Sequence, residues 1–443
     1  MTINEFDDLI EKVVKGMRKY FILIFTFLIS SYCYSSIITI EVSMPIHPIS
    51  AEFIVKSIER AEMENADLLL IKLDTPGGLE TSMREIIKKI ISSKVPIAIW
   101  VYPQGARAAS AGFFITISAD IAIMTPGTSI GAAHPVAIPI GGEKPDKTME
   151  EKAAQDSSAF AKSIAEKRGR NIKMAVDAVL QSLSYSETEA LNGGLIDFIA
   201  TSLEEIIEKF DGKKIKRFDQ KETILKLKGK NVKELKMNLR QRILSEVANP
   251  NIALILMMLG LLGLYFEFSN PGAILPGVIG AISLLLAFFA FQILPVNYVG
   301  LLLILLAIGL FVAEIKVQGF GILGIGGIIS MIFGSLMLFN SPIPDFKPDL
   351  SVVITISIIF GILFLFFLYI SLKAHSQKVS TGAEGLLGSE GEAITEISPR
   401  GKVFIQGEIW DAHSSTKIPK GARVKVVKVS GLKLEVELIK ETE

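Results

Sequence analysis

Cysteine occurs once in these 443 residues, at Cys33, which excludes a disulfide within the chain and a cysteine-built metal site. Histidine is almost as scarce. The four copies, His47, His134, His375 and His413, are scattered and lack the His-Glu-x-x-His spacing of a zinc hydrolase. An excess of either charge is also missing, with 46 basic against 46 acidic residues, so no global field favours nucleic acid as a partner. The polarity of an ordinary soluble enzyme is missing as well, because the mean hydropathy is +0.46. A chain of this length and hydropathy is expected to hold two or three domains and a membrane segment.

The N-terminus carries Lys12, Lys15, Arg18 and Lys19, then the apolar run from Tyr20 to Ile29, then Ser30, Ser31 and Ser35. That order of charge, apolar core and small residues predicts a secretory signal or an uncleaved anchor over residues 1–36. Either one sends the following domain out of the cytoplasm.

From 37 to 211 short apolar strands alternate with helical stretches: strand Ile37 to Val42, helix Ser50 to Asn65, strand Leu68 to Leu73, helix Thr81 to Ser92, strand Ile97 to Val101. This βα alternation predicts a layered α/β domain with a largely parallel sheet. A helix from Met149 to Gly169 follows a Gly- and Pro-rich stretch, 139–147, that reads as a loop over a groove. Residues 212–250 change character, with twelve Lys or Arg between Gly212 and Arg242 and only Phe218 as an aromatic. They read as a basic, solvated linker touching lipid head groups at most, not as a nucleic-acid surface.

Residues 251–372 are almost free of charge and predict a bundle of four or five transmembrane helices. An internal repeat marks this region, since Glu267, Gly272, Gly277 and Gly280 recur as Glu314, Gly319, Gly324 and Gly327. The glycines permit close helix packing or re-entrant turns, and the glutamates read as structural groups at helix ends. After a second linker, 373–389, residues 390–443 hold five short alternating segments punctuated by Gly and Pro, a pattern suited to a small five-stranded barrel.

The chemistry concentrates around Ser110. Gly105-Ala-Arg-Ala-Ala-Ser-Ala-Gly-Phe-Phe114 sets a hydroxyl among small residues just after an apolar strand. Such a turn puts the serine at a helix N-terminus, where the Ala111 N–H is free to receive an oxyanion. A second turn, Asp74-Thr-Pro-Gly-Gly-Leu79, follows the preceding strand and leaves backbone N–H groups unobstructed, with Gly78 as the second donor. Either turn alone is ordinary punctuation between strand and helix.

These two turns, together with Gly127-Thr-Ser-Ile-Gly-Ala-Ala-His-Pro135 and Arg168-Gly-Arg-Asn171, resemble the ClpP-class membrane-bound serine proteases of the NfeD family in its long form. The resemblance runs from about Ile37 to the C-terminus. It implies an α/β ClpP/crotonase-like domain, an all-α transmembrane bundle and a small all-β OB-fold barrel, with a Ser-Lys dyad and no cofactor or metal. It also implies a place in the cell (inner) membrane and a stomatin- or flotillin-like protein as substrate or partner, and ClpP-like sheets lead us to expect at least a dimer.

A serine hydroxyl needs a neighbour to accept its proton. Lys152 falls where the family's dyad lysine is expected, bordering the helical stripe Met149, Ala153, Phe160 and Ile164, although the adjacent Glu150 and Glu151 favour its charged form. A lysine works as a base only when desolvated, and Asp156, one turn on, is a candidate to orient the amine. His134 is the alternative base, close to the triad histidine of soluble ClpP peptidases, although a groove-lining histidine is its plainer role.

The function expected is an ATP-independent serine endopeptidase, extracytoplasmic and acting near apolar segments. A non-catalytic scaffold for stomatin- or flotillin-type assemblies, or a crotonase-like acyl transferase, would use the same fold. Five later spans would return the barrel to the cytoplasm and four would leave it outside.

Overall fold

The computed structural model describes residues 36–136, 147–269, 272, 274–317, 321–339, 341, 346–376 and 383–439. The expected signal or anchor and most of the groove loop therefore lie outside the described residues. The chain divides into two compact units, residues 1–309 with 326–357 and residues 310–325 with 358–443.

Runs of Ile, Leu and Val too apolar to face water on either side build a six-stranded sheet. Its strands are β1 (Ser36–Ser43), β2 (Leu68–Asp74), β3 (Ile97–Val101), β5 (Ile121–Met124), β8 (Phe198–Ile199) and β11 (Asn231–Glu234). They run in the order β11-β1-β2-β3-β5-β8 with every pair parallel. A parallel sheet must be covered on both faces. Ile38, Ile40, Ile71, Ile99 and Val101 face one core, and Ile37, Leu70, Ala98, Trp100 and Ile123 face another.

The first core is closed by α1 (Pro48–Met63), α2 (Glu80–Ser92), α3 (Ala111–Ser118), α4 (Lys147–Arg168) and α5 (Ile172–Leu180). A small sheet of β4 (Arg107–Ala109), β6 (Ser129–Gly131) and β7 (Ser184–Ser186) stands beside it, followed by the short helix α6 (Glu187–Asn192). This is the ClpP/crotonase-like α/β domain. Helix α1 starts two residues earlier than expected because the His47 side chain caps it, its Nδ1 accepting from the N–H groups of Ile49 at 3.2 Å and Ser50 at 3.3 Å. Helix α4 ends at Gly169, which sits at φ 68° as a C-terminal cap requires.

The second core contains a surprise for the 212–250 stretch. Helix α7 (Leu203–Phe210), the hairpin β9 (Lys214–Lys216) and β10 (Glu222–Ile224), and strand β11 belong to the domain, and helix α8 (Leu239–Val247) follows. Ile215, Leu225 and Leu227 are buried against the sheet, and β11 pairs with β1 at its edge. The expected linker is thus a cover. Its lysines are mostly exposed while Ile215, Leu225 and Leu227 turn inward, and the sheet face supplies the reason to fold.

Beyond it lie α9 (Pro250–Ser269), α10 (Ile274–Phe291), α11 (Tyr298–Val317), α12 (Ile322–Leu338) and α13 (Leu350–Ser376). Pro250–Phe268 and Ile274–Phe291 are long and apolar enough to cross a membrane, whereas Tyr298–Glu314, Ile322–Leu338 and Leu350–Leu363 are shorter apolar helices. Helices α9 and α10 touch backbone to backbone, so that a methyl on Gly263 would meet the Pro276 carbonyl oxygen at 2.5 Å. One of the repeated glutamates also finds a use. Glu314 is buried and accepts from the N–H groups of Gly321, Leu323 and Gly324 at 2.7, 2.8 and 3.2 Å, capping α12.

After a single turn, α14 (Ala383–Leu386), strands β12 (Glu390–Ala393), β13 (Arg400–Ile405), β14 (Glu408–His413), β15 (Arg423–Ser430) and β16 (Lys433–Leu438) close a barrel in the order β12-β13-β14-β16-β15. Alternation turns Val403, Ile405, Val424, Val426, Leu434 and Val436 inward. The result is the five-stranded OB-fold barrel expected.

Candidate active site

The turn after β2 is shaped by Thr75, which is fully buried. Its Oγ1 accepts from the Gly77 N–H at 3.2 Å, and its main chain exchanges bonds with β4, Thr75 N–H to the Arg107 carbonyl at 2.7 Å and Ala109 N–H to the Thr75 carbonyl at 3.1 Å. Both glycines are required. Gly77 sits at φ 121° and a methyl there would lie 2.7 Å from the Ser110 Cβ, while a methyl on Gly78 would lie 2.0 Å from the Ile46 carbonyl oxygen. Ile46 pairs across Gly78, its N–H donating to the Gly77 carbonyl and its carbonyl accepting from the Leu79 N–H, each at 2.8 Å. Extended backbone alternates, so the Gly78 N–H faces away from Ile46, and Gly78 lines the cavity that contains Ser110.

Ser110 joins β4 to α3 with φ 50° and ψ −113°, a conformation that costs a non-glycine residue of order 1–3 kcal/mol. Two bonds hold it there, Ser110 N–H to the Gly131 carbonyl at 2.9 Å and Phe113 N–H to the Ser110 carbonyl at 3.0 Å. The hydroxyl is not spent on capping its own helix. Ser110 is half-buried at the start of α3, and both it and Ala111, the first residue of that helix, line the cavity. A strained, small-flanked serine at a strand-to-helix turn is the arrangement of a nucleophile elbow.

The cavity has a volume of about 490 Å³ and is walled by Leu79, Met83, Phe114, His134, Ser157 and Phe346 among others. His134 is brought to it. Its Nδ1 lies 2.9 Å from the Val179 carbonyl oxygen, which can only accept, so in the neutral ring Nδ1 carries the proton and Nε2 is the nitrogen with a free lone pair. Lys152 is not brought there. It is exposed on α4, whose buried stripe is Ala154, Ser157, Ser158, Ala161, Ile164 and Ala165, and so lacks the desolvated surroundings expected from its neighbours in sequence. Asp156 pairs with Arg84 of α2 and not with Lys152.

The arginine motif after α4 braces the serine helix from its far end. Arg168 Nε donates to the Ser118 carbonyl at 2.7 Å, and Arg170 donates to the carbonyls of Ile117 at 3.0 Å and Ala119 at 3.2 Å. Cations on the last carbonyls of α3 oppose its C-terminal partial charge. Burial draws the Arg168 guanidinium below its ordinary range, and Asp120 opposes that shift. The arginines were legible only as a motif. Phe346 escaped the sequence reading, although an aromatic set among Pro342, Pro344 and Pro348 between two apolar stretches is a signal that would have marked it.

Residues 36–235 match the N-terminal domain of NfeD1b, residues 251–370 the NfeD integral membrane domain, and residues 383–437 the NfeD-like C-terminal, partner-binding domain. The chain is 34% identical over 387 residues to the membrane-bound protease PH1510 of Pyrococcus horikoshii, covering 85% of this chain and 87% of that one. To the membrane protein NfeD1b of Bacillus subtilis it is 29% identical over 405 residues, covering 88% and 90%. A solved structure, the 1510-N membrane protease specific for a stomatin homolog from Pyrococcus horikoshii, is 30% identical and covers 48% of this chain and 99% of its own, with a TM-score of 0.42. Three family domains in one order, and a relative matched over 87% of its length, make this chain a membrane protein of the NfeD family in its long form.

Proposed function

We propose that the chain is a membrane-anchored serine endopeptidase that cuts peptide bonds in or near apolar segments of stomatin- or flotillin-like membrane proteins. The observation that carries this is Ser110, held at φ 50° at a helix N-terminus with its hydroxyl making no capping bond to that helix. Ser110 Oγ attacks the scissile carbonyl and gives its proton to the base. The Gly78 and Ala111 N–H groups receive the oxyanion, the amine leaves with the proton, and water then releases the acyl group. No cofactor enters these steps.

Lys152 is proposed as the base on the family register. Its amine is exposed, so this role requires that bound peptide exclude water from it. A second reading assigns the proton to His134, favoured by the Nδ1 bond to Val179 that leaves Nε2 as acceptor. Several long apolar helices, a protease domain outside the cytoplasm and association of at least two copies belong to the same proposal.

The test is cleavage of a peptide spanning the C-terminal apolar segment of a stomatin-type protein by the full chain in detergent micelles. Ser110→Ala is expected to lose at least ~10³-fold in turnover. Undiminished turnover in that variant overturns the peptidase reading. Loss in Lys152→Ala with retention in His134→Ala assigns the base to the lysine, and the reverse assigns it to the histidine.

A further inference from the structure

Phe346 belongs to neither glycine turn nor to the serine helix, yet its ring lines the Ser110 cavity. It is presented by the connection between α12 and α13 and is 4% exposed. The same side chain lines a second cavity of about 250 Å³, walled by Met44, Pro45, His47, Ser245 and Pro250. One phenyl ring therefore separates two spaces within the first unit.

The ring is held in place from behind. Asn251, at the start of α9, and Asp349, just before α13, exchange two bonds, Asn251 Nδ2 donating to the Asp349 carboxylate at 2.7 Å and the Asp349 N–H donating to Asn251 Oδ1 at 2.8 Å. This clamp fixes the connection against the first turn of an apolar helix. The lining of the cavity also includes the apolar side chains of Leu79, Met83, Phe114 and Val136, beside the polar Glu80, Arg107, His134 and Ser157.

We propose that Phe346 is a specificity-determining residue. It ends the substrate cleft on the side of the apolar helices and limits the size of the apolar side chain received there. The inference rests on the peptidase reading and deepens it, since the substrate class becomes an extended peptide with a compact apolar residue against the ring. A pocket of this kind discriminates by volume, one methylene changing the rate by ~10-fold or more. Removing the ring joins the cavities of about 490 and 250 Å³ and shifts preference toward bulkier residues.

The experiment uses the full chain in detergent micelles and pairs of fluorogenic peptides that differ by Ala or Phe at one of the positions flanking the cut. Phe346→Ala is expected to raise the Phe-to-Ala ratio of kcat/KM by at least ~10-fold at one position, with cleavage of both peptides still lost when Ser110→Ala is added. Asn251→Ala, which frees the connection without touching the cleft, is expected to move the same ratio in the same direction by a smaller factor. It also serves if Phe346→Ala fails to fold. Cleavage that depends on Ser110 with an unchanged ratio in both variants overturns the proposal and leaves the peptidase intact. Cleavage unaffected by Ser110→Ala overturns both.

Discussion

Gly77 and Ser110 touch so closely that a single added methyl on Gly77 would lie 2.7 Å from the serine Cβ and 3.3 Å from its Oγ. The two turns that sequence analysis found separately are one object. Each holds the other's backbone in a conformation that neither segment would adopt alone.

Gly77→Ala is therefore expected to displace the hydroxyl and to strain a turn at φ 121°. The expected cost is ~1–3 kcal/mol in stability and a loss of ~10²-fold or more in Ser110 labelling by a fluorophosphonate. Labelling at the parent rate would show that the close contact does not set the serine's position.

The side chain of Asp120 is fully buried between two guanidinium groups, Arg168 Nη1 at 2.6 Å and Arg217 Nε at 2.9 Å. Its other oxygen accepts from the Ile97 N–H at 2.9 Å. Asp120→Ala leaves two buried cations uncompensated and is expected to destabilise the protease domain by ~3–5 kcal/mol, read as a fall in the near-ultraviolet circular dichroism melting midpoint. Arg217→Met, which removes one cation and keeps its apolar stem, is expected to cost less. Equal stabilities of parent and Asp120→Ala would contradict the role given to this cluster.

His47 is 4% exposed, and burial pushes its pKa from the usual 6.5 down to about 4. The folded state therefore resists a proton that the unfolded chain accepts. The contribution of His47 to stability is constant above pH 6.5, falls as pH drops through the window from 6.5 to about 4, and is lower by roughly 3 kcal/mol below it. Protonation at Nδ1 also removes the acceptor that caps α1. His47→Asn keeps a cap and lacks the titration, so its unfolding midpoint is expected to lose this part of the slope between pH 6.5 and 4.5. An identical slope in parent and variant would assign the acid sensitivity elsewhere.

Much of the fold is legible from periodicity because its parts are local. Largely apolar runs such as Leu68–Asp74, broken only by Lys72 and the terminal Asp74, announce a parallel strand buried on both faces, and the alternating segments after Glu390 announce a barrel. The 212–250 stretch reads as a linker for the opposite reason. Its apolar residues are interleaved with twelve cations, and only the sheet face they cover, distant in sequence, makes Leu225 and Leu227 core residues.

The candidate site divides in the same way. Sequence by itself determined that Ser110 lies at a strand-to-helix turn, that Gly77 and Gly78 open a second turn, and that apolar helices follow, since small residues and apolar runs act on the backbone beside them. Tertiary structure alone decided what those turns face. It brought His134 into the Ser110 cavity and left Lys152 exposed, it set Arg168 and Arg170 on the far end of the serine helix, and it carried Phe346 to the cleft from between two apolar helices. These placements depend on packing between segments far apart in the chain, where burial and hydrogen-bond satisfaction, not local propensity, choose the neighbour.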